Sequence, residues 1–263
     1  VLGYVLPQDT VITVLPLLYL LSGTALTGGG AHVLNQWMEQ VPDSKMSRTK
    51  SRPLPMGRLS RNEALIFGVI ISITGITILW LTLNALTATL GLLTVISYIL
   101  IYTPLKQKTI ANTWFGGITG ALPPVMGWTA ARGQLDWEVL PIFALLYFWQ
   151  LPHFFAIAWM YREDYQIGGF RMLSLVDKTG QRTAAHMLLN TALLFVASLS
   201  VYLIGQGRLL YLTGAILLGL GFFAVITLFF RKKSVENARK VFLASIIYLP
   251  VLSTILILER FFY

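Results

Sequence analysis

Apolar and polar positions alternate along this chain in long blocks. Eight apolar stretches, at about 10–34, 62–83, 86–104, 110–131, 138–160, 183–204, 209–230 and 240–260, are separated by polar connections. A helix of roughly 20 apolar residues crosses a hydrocarbon core. Backbone polar groups in lipid are satisfied only by helices or closed barrels. Barrel strands alternate with period two over about ten residues, whereas stretches such as Leu65 to Leu83 run apolar without alternation. The pattern therefore predicts an all-α, polytopic transmembrane helix bundle of eight helices, one domain over residues 1–263. The connections at 84–85 and 105–109 are short, which makes their flanking helices antiparallel neighbours. Those at 35–61 and 161–182 are long and hold acidic residues, so they are expected to be functional loops. They follow helices four apart in order, which suggests two similar four-helix halves.

Composition agrees. The chain is 56% apolar and 12% charged, with mean hydropathy +0.69, against about 25% charged residues in soluble domains. It has no cysteine, which excludes disulfides, thiolate metal sites and cysteine nucleophiles. The net charge of +9 would suit nucleic acid, but its distribution points to a lipid bilayer. If the first segment ends on one side, seventeen of the twenty lysines and arginines lie on that side, and Arg132, Arg208 and Arg260 on the other. The positive-inside rule makes the basic side cytoplasm or matrix. The protein is thus expected in a bacterial plasma membrane or mitochondrial inner membrane, with no nucleic-acid partner. Arg231, Lys232 and Lys233 suit an anionic-lipid anchor.

The candidate chemistry begins where the first segment ends. Asn35, Glu39 and Asp43 recur every four residues, a polar stripe if they share one helix. Pro42 is expected to end or kink that helix near Val41, leaving Asp43 in the turn beyond. Mg²⁺ takes one or two carboxylates, waters and substrate phosphate oxygens, and these three side chains suit it. Arg48, Lys50 and Arg52 supply donors for the remaining phosphate charge. An ordinary solvated loop with positive-inside lysines is the competing reading.

Asn35-x3-Glu39-x3-Asp43, followed by Met46-Ser47-Arg48-Thr49-x2-Arg52-Pro53-Leu54-Pro55-x-Gly57, resembles the first motif of the intramembrane aromatic prenyltransferase superfamily. The Met-x-Arg-Thr-x2-Arg-Pro-Leu form is similar to its haem-farnesylating branch. Glu39 stands where the superfamily more often has aspartate. Tyr102-x3-Lys106 resembles the family's Tyr-x3-Lys, whose lysine reaches the diphosphate; a membrane-edge anchor is the alternative for Lys106. Gly116-Gly117-Ile118-Thr119-Gly120-Ala121-Leu122-Pro123-Pro124 reads as close helix packing or as backbone freed for a cavity. Arg162-x-Asp164-Tyr165-x2-Gly168-Gly169-x2-Met172-Leu173 resembles the same branch. It lacks the second carboxylate of the superfamily's Asp-x3-Asp, for which Glu163 or Asp177 is the candidate substitute.

The resemblance implies nine helices, so that a first helix would precede Val1 and the chain is expected to be N-terminally truncated. It implies a central cavity opening to the basic side. There a farnesyl group would pass from farnesyl diphosphate to a vinyl group of haem b, with addition of water. Mg²⁺ would be held by Asn35, Glu39, Asp43 and Asp164, with Arg48, Lys50, Arg52, Lys106, Arg162 and Lys178 toward the diphosphate. His153, inside an apolar segment, would contact haem or bond a carbonyl freed by Pro152; His32 and, less so, His186 are further haem contacts. Haem A synthase is the expected partner protein. Two rivals remain: prenyl transfer to a quinone precursor or chlorophyllide, and a transporter. The latter should place charge at mid-membrane, whereas the acids here sit at one edge.

Overall fold

The structure, a computed structural model, describes residues 1–7 and 12–262, and the regular elements within that range are all helices. A short α1 (Leu2–Val5) precedes α2 (Val14–Met38), α3 (Gln40–Lys45), α4 (Arg61–Thr82) and α5 (Ala85–Ile96). A π-helical turn, Ser97–Tyr102, joins α5 to α6 (Thr103–Lys108). There follow α7 (Asn112–Gly120), α8 (Leu122–Arg132), α9 (Leu140–Met160), α10 (Arg162–Ile167), α11 (Leu173–Val176), α12 (Gln181–Leu203), α13 (Leu209–Arg231) and α14 (Val235–Phe262). Among the described residues, seven helical segments are long and apolar enough to cross a membrane: α2, α4, α5 to α6, the span ending in α9, α12, α13 and α14. The chain is an integral membrane protein.

The apolar pattern located these segments but not all of their ends. Residues 10 and 11 of the first expected stretch lie outside the described residues. The helix there continues four residues past the expected end, to Met38. The stretch at 110–131 is two helices meeting at Ala121. Pro123 and Pro124 supply no amide hydrogen to the turn before them, so the helix restarts at Leu122 with proline in its first turn, where no donor is missed.

Small residues let α2 and α4 pack closely. A side-chain carbon added at Gly30 would meet Ser72 Oγ and the Gly68 carbonyl of α4, and one at Gly75 would meet Thr27. The α2 and α4 backbones thus touch without intervening side chains, the packing that small residues permit in lipid. The larger apolar core lies in the later half, where Ile142, Leu145, Phe155, Met187, Leu194, Phe222 and Phe229 are buried together.

The four basic connections meet at one end of the bundle. Arg171 N–H donates to the Lys106 carbonyl at 2.7 Å, and Asn112 Nδ2 donates to the Arg171 carbonyl at 2.8 Å. Ser47 Oγ donates to Asp164 Oδ1 at 2.5 Å, and Gly180 packs beside Lys233. At the opposite end Glu259 accepts from the Arg208 and Tyr211 backbone amides at 2.7 and 2.8 Å, closing the first turn of α13.

Candidate active site

The polar stripe is broken two residues earlier than proline alone suggested. Glu39 leaves helical geometry (φ −96°, ψ 13°), and α3 begins at Gln40. Pro42 therefore sits in the first turn of a new helix, where its missing amide hydrogen costs nothing. Asp43, expected in the turn beyond, is helical, its amide donating to the Glu39 carbonyl at 2.8 Å. Asn35 is 6% exposed, Glu39 4% and Asp43 1%. Burial on this scale is costly for polar groups unless each has a partner.

The partners come from two directions. Arg52 Nη1 reaches Asp43 Oδ2 at 2.6 Å, and Thr49 Oγ1 donates to the Asp43 carbonyl at 2.9 Å, folding the basic loop back on α3. Across the bundle, Lys106 Nζ bonds Glu39 Oε2 at 3.0 Å, Asn35 Nδ2 donates to Thr103 Oγ1 at 3.0 Å, and Tyr98 Oη lies 3.4 Å from His32 Nδ1. These are three rungs between α2 and the α5–α6 segment. On α2 the rungs fall at i, i+3 and i+7, one face of an α-helix. On the facing segment Tyr98 and Thr103 are five apart, about 1.4 turns of an α-helix, which would put them on different faces. The π turn removes the mismatch. Pro104 has no amide hydrogen to donate, and Thr103 donates instead to the carbonyl of Tyr98, five residues back, by backbone and by hydroxyl.

Glu39 Oε1 is buried without a hydrogen-bond partner. Burial raises the Glu39 carboxyl above the usual range, against the opposing charge of Lys106. An unpartnered carboxylate oxygen beside a buried amide and a second buried carboxylate fits a hard cation. Among the described residues no three His, Asp or Glu side chains form a ready-made metal cage. That suits Mg²⁺, which is commonly held by one or two carboxylates plus substrate phosphates.

Below the rungs lies a cavity of 340 Å³, lined by His32, Tyr98, Tyr102, Thr119, Gln150 and Phe154 among others. Its mouth adjoins the polar cluster, because Lys106 Nζ stands 4.7 Å over the Tyr102 ring. The glycine row of α7 shapes its wall. A carbon added at Gly116 would meet the Tyr102 ring and one at Gly120 the Gln150 side-chain oxygen Oε1. Close packing and cavity formation, alternatives in the sequence, are here the same arrangement.

Asp164 is placed differently from Asn35, Glu39 and Asp43. Its Oδ1 accepts from Ser47 N and Oγ, and its Oδ2 from Arg48 N at 3.1 Å. These bonds, led by the Ser47 hydroxyl, hold its carboxyl below the usual range. It latches the second polar loop to the first. Arg48 then lies 5.5 Å over Tyr161 and 5.8 Å over Tyr165. Lys50 is exposed on the loop surface. Arg162 and Lys178 are not brought to the rungs; they share a separate surface recess with Glu163, Gln166 and Ser174. Asp177 cannot stand in for a missing ligand while it caps α12: Oδ2 accepts from Thr183 N at 2.7 Å and Oγ1 at 3.0 Å. His153 turns toward α14, with Nδ1 2.8 Å from Ser245 Oγ and its ring against Trp149 and Phe242. It does not line the cavity, whereas Gln150 and Phe154 on the same helix do. His186 packs against Trp114 and Phe155. Thr103, Ser47 and Gln150 escaped the sequence reading because each matters only through a partner distant in the chain.

Comparison with known proteins agrees with this architecture. A Solibacter usitatus protein named protoheme IX farnesyltransferase is 44% identical over 249 residues, 95% of this chain and 85% of the relative. An Arabidopsis thaliana protein, named the mitochondrial protoheme IX farnesyltransferase, is 39% identical over 98% of this chain and 60% of its own. Among solved structures, a UbiA homologue from Aeropyrum pernix K1 superposes with a TM-score of 0.75 at 18% identity, covering 98% of this chain and 94% of its own. A homologue from Archaeoglobus fulgidus bound to DMAPP and Mg²⁺ gives 0.67 at 14% identity, covering 99% and 94%. The UbiA prenyltransferase family model matches residues 1–247, both polar loops and the cavity between them included, and the chain belongs to that family.

Proposed function

We propose that the protein transfers the farnesyl group of farnesyl diphosphate to a vinyl group of haem b, with addition of water, giving haem O. The observation that carries this reading is the juxtaposition of two unlike environments. A buried oxygen cluster with one unpartnered carboxylate oxygen sits at the mouth of a largely apolar cavity. A diphosphate and a prenyl chain require that pairing. The relative at 44% identity and the form of the Met46–Gly57 motif favour haem as acceptor over a quinone precursor or chlorophyllide.

Asn35, Glu39 and Asp43 would hold Mg²⁺. When bound, the ion neutralises the diphosphate as it leaves. Arg52 and Lys106, each already on one of those carboxylates, turn to the diphosphate oxygens, and Arg48 and Lys50 approach from the loop above. Asp164 holds that loop down through Ser47 and Arg48; sharing in metal binding would require it to leave Ser47. Tyr98, Tyr102 and Phe154 present ring faces to the allylic cation, and the cavity walls exclude bulk water from it. His32 faces the acceptor. His153 steadies α9 against α14, and Arg162 and Lys178 bind anionic groups outside the cavity. The basic end faces cytoplasm or matrix, and the product passes to haem A synthase.

Purified protein supplied with haem b, farnesyl diphosphate and Mg²⁺ is expected to yield haem O by mass spectrometry, and Asp43→Asn to yield none while unfolding at the wild-type temperature. No farnesylated haem from the folded wild type, or full turnover by Asp43→Asn, would refute the reading.

A further inference from the structure

We propose that His32 is the base that removes a proton from the water completing the transfer, and that Tyr98 orients its ring. The assignment rests on the haem-farnesylation reading above and names a residue for its last step.

The three rungs between α2 and the α5–α6 segment are unequal. The outer two, Glu39–Lys106 and Asn35–Thr103, are closed at 3.0 Å, with Glu39, Asn35 and Thr103 buried and Lys106 nearly so. The inner rung, His32–Tyr98, is open at 3.4 Å, and both side chains line the cavity. His32 is exposed there, its ring meeting Tyr98 edge-on. On the helix it lies about 4.5 Å deeper than Asn35 and about 10 Å deeper than Glu39. The diphosphate end of the substrate belongs with the outer rungs, so the reacting prenyl carbon and its acceptor belong beside the inner one. The other polar side chains on this wall are hydroxyls and the Gln150 amide, whose Nε2 is spent on the Gly117 and Leu146 carbonyls. Imidazole alone among them presents a ring nitrogen lone pair that can accept a proton from water. With Nδ1–H donating to the Tyr98 oxygen, Nε2 keeps a free lone pair. A long bond between catalytic groups before substrate binds is common and tightens in the complex.

The chemistry balances. As the C1–O bond of farnesyl diphosphate breaks, its electron pair leaves with diphosphate. The π pair of the vinyl group forms the new carbon–carbon bond at C1. The positive charge then rests on the vinyl carbon attached to the tetrapyrrole. A water oxygen bonds to that carbon and gives one proton to His32 Nε2. One diphosphate, one alcohol and one proton are formed from one farnesyl diphosphate, one vinyl group and one water. Without a base for water, the cation instead loses a proton from the neighbouring CH₂, giving an alkene one water lighter.

The test compares wild type, His32→Gln and Tyr98→Phe as purified enzymes given haem b, farnesyl diphosphate and Mg²⁺. Diphosphate release and product mass are followed together. His32→Gln is expected still to release diphosphate, while the ratio of hydroxylated to anhydro product falls about 100-fold. Tyr98→Phe should move the ratio the same way by less. Wild-type ratios in both variants would overturn the assignment and leave the acceptor reading standing. Loss of diphosphate release together with product in His32→Gln would assign the residue to folding or substrate binding and also overturn it. A wild type that releases diphosphate and makes no farnesylated haem would overturn the acceptor reading, and this proposal with it.

Discussion

Replacing Lys106 with methionine isolates the buried ion pair at the outer rung. Methionine keeps an apolar stem beside the Tyr102 ring and removes the ammonium group, with both its charge and its hydrogen bond to Glu39. Lys106 is 12% exposed and Glu39 5% as side chains, and they meet at 3.0 Å. Stranding one partner of such a buried pair costs about 3–5 kcal/mol if the remaining charge persists. For a chain of this size that is a fall of roughly 6–20 °C in unfolding temperature. Glu39 has an escape, which is to take up a proton. Burial already raises its folded-state value above 4.5, and Lys106 is the chief opposing influence. The variant therefore raises it further. A carboxyl whose folded value lies above its unfolded value destabilises the fold once ionised, so the penalty grows as pH rises and shrinks as pH falls toward 4.5. Thermal unfolding in detergent at pH 5, 6.5 and 8 measures this. The gap between wild type and Lys106→Met should be widest at pH 8 and narrow steadily toward pH 5. A gap that is constant across that range, or widest at pH 5, would refute the argument that Glu39 is a buried carboxylate held ionised by Lys106.

Other consequences follow from the same geometry. Asp164→Ala should free the 46–60 loop to added protease and raise KM for farnesyl diphosphate more than it lowers kcat. Because hydrogen bonds from Ser47 and Arg48 hold Asp164 below 3.8, the wild-type latch is fully present above that value and is lost only as pH falls through the lower folded one; proteolysis between pH 5 and 8 should therefore stay slow. Arg52→Lys keeps a charge near Asp43 but loses the planar fork, so it should retain folding and weaken diphosphate binding about tenfold by kinetic titration. Gly30→Val drives a side chain into Ser72 and the Gly68 carbonyl and should lower stability by about 1–3 kcal/mol, read as a lower unfolding temperature without a change in Mg²⁺ dependence.

The apolar blocks were enough to reveal a helical membrane bundle, because lipid leaves the backbone no alternative. The spacing of Asn35, Glu39 and Asp43 drew attention to one wall of the candidate site, although the three do not share one helix: α2 ends at Met38, Glu39 is the break, and Asp43 lies on α3. The rest depended on relations that a linear reading does not carry. Pro42 was visible, but whether it ends a helix or begins one depends on where the chain turns, and the turn is at Glu39. His153 and Gln150 are three residues apart on one helix; which of them meets the cavity is decided by where α7 and α14 pack. Asp164 and Ser47 are 117 positions apart, and nothing local to either announces the latch. The π turn is the most informative of these. Pro104 signals trouble for the helix before it, but not that the outcome is a five-residue turn. That turn is what allows Tyr98 and Thr103 to face α2 together. A substitution that restored regular α geometry there, such as Pro104→Ala, should pull one rung out of register while leaving the buried Lys106–Glu39 pair intact. The contribution of the π turn would then appear in turnover and not in the stability of that pair.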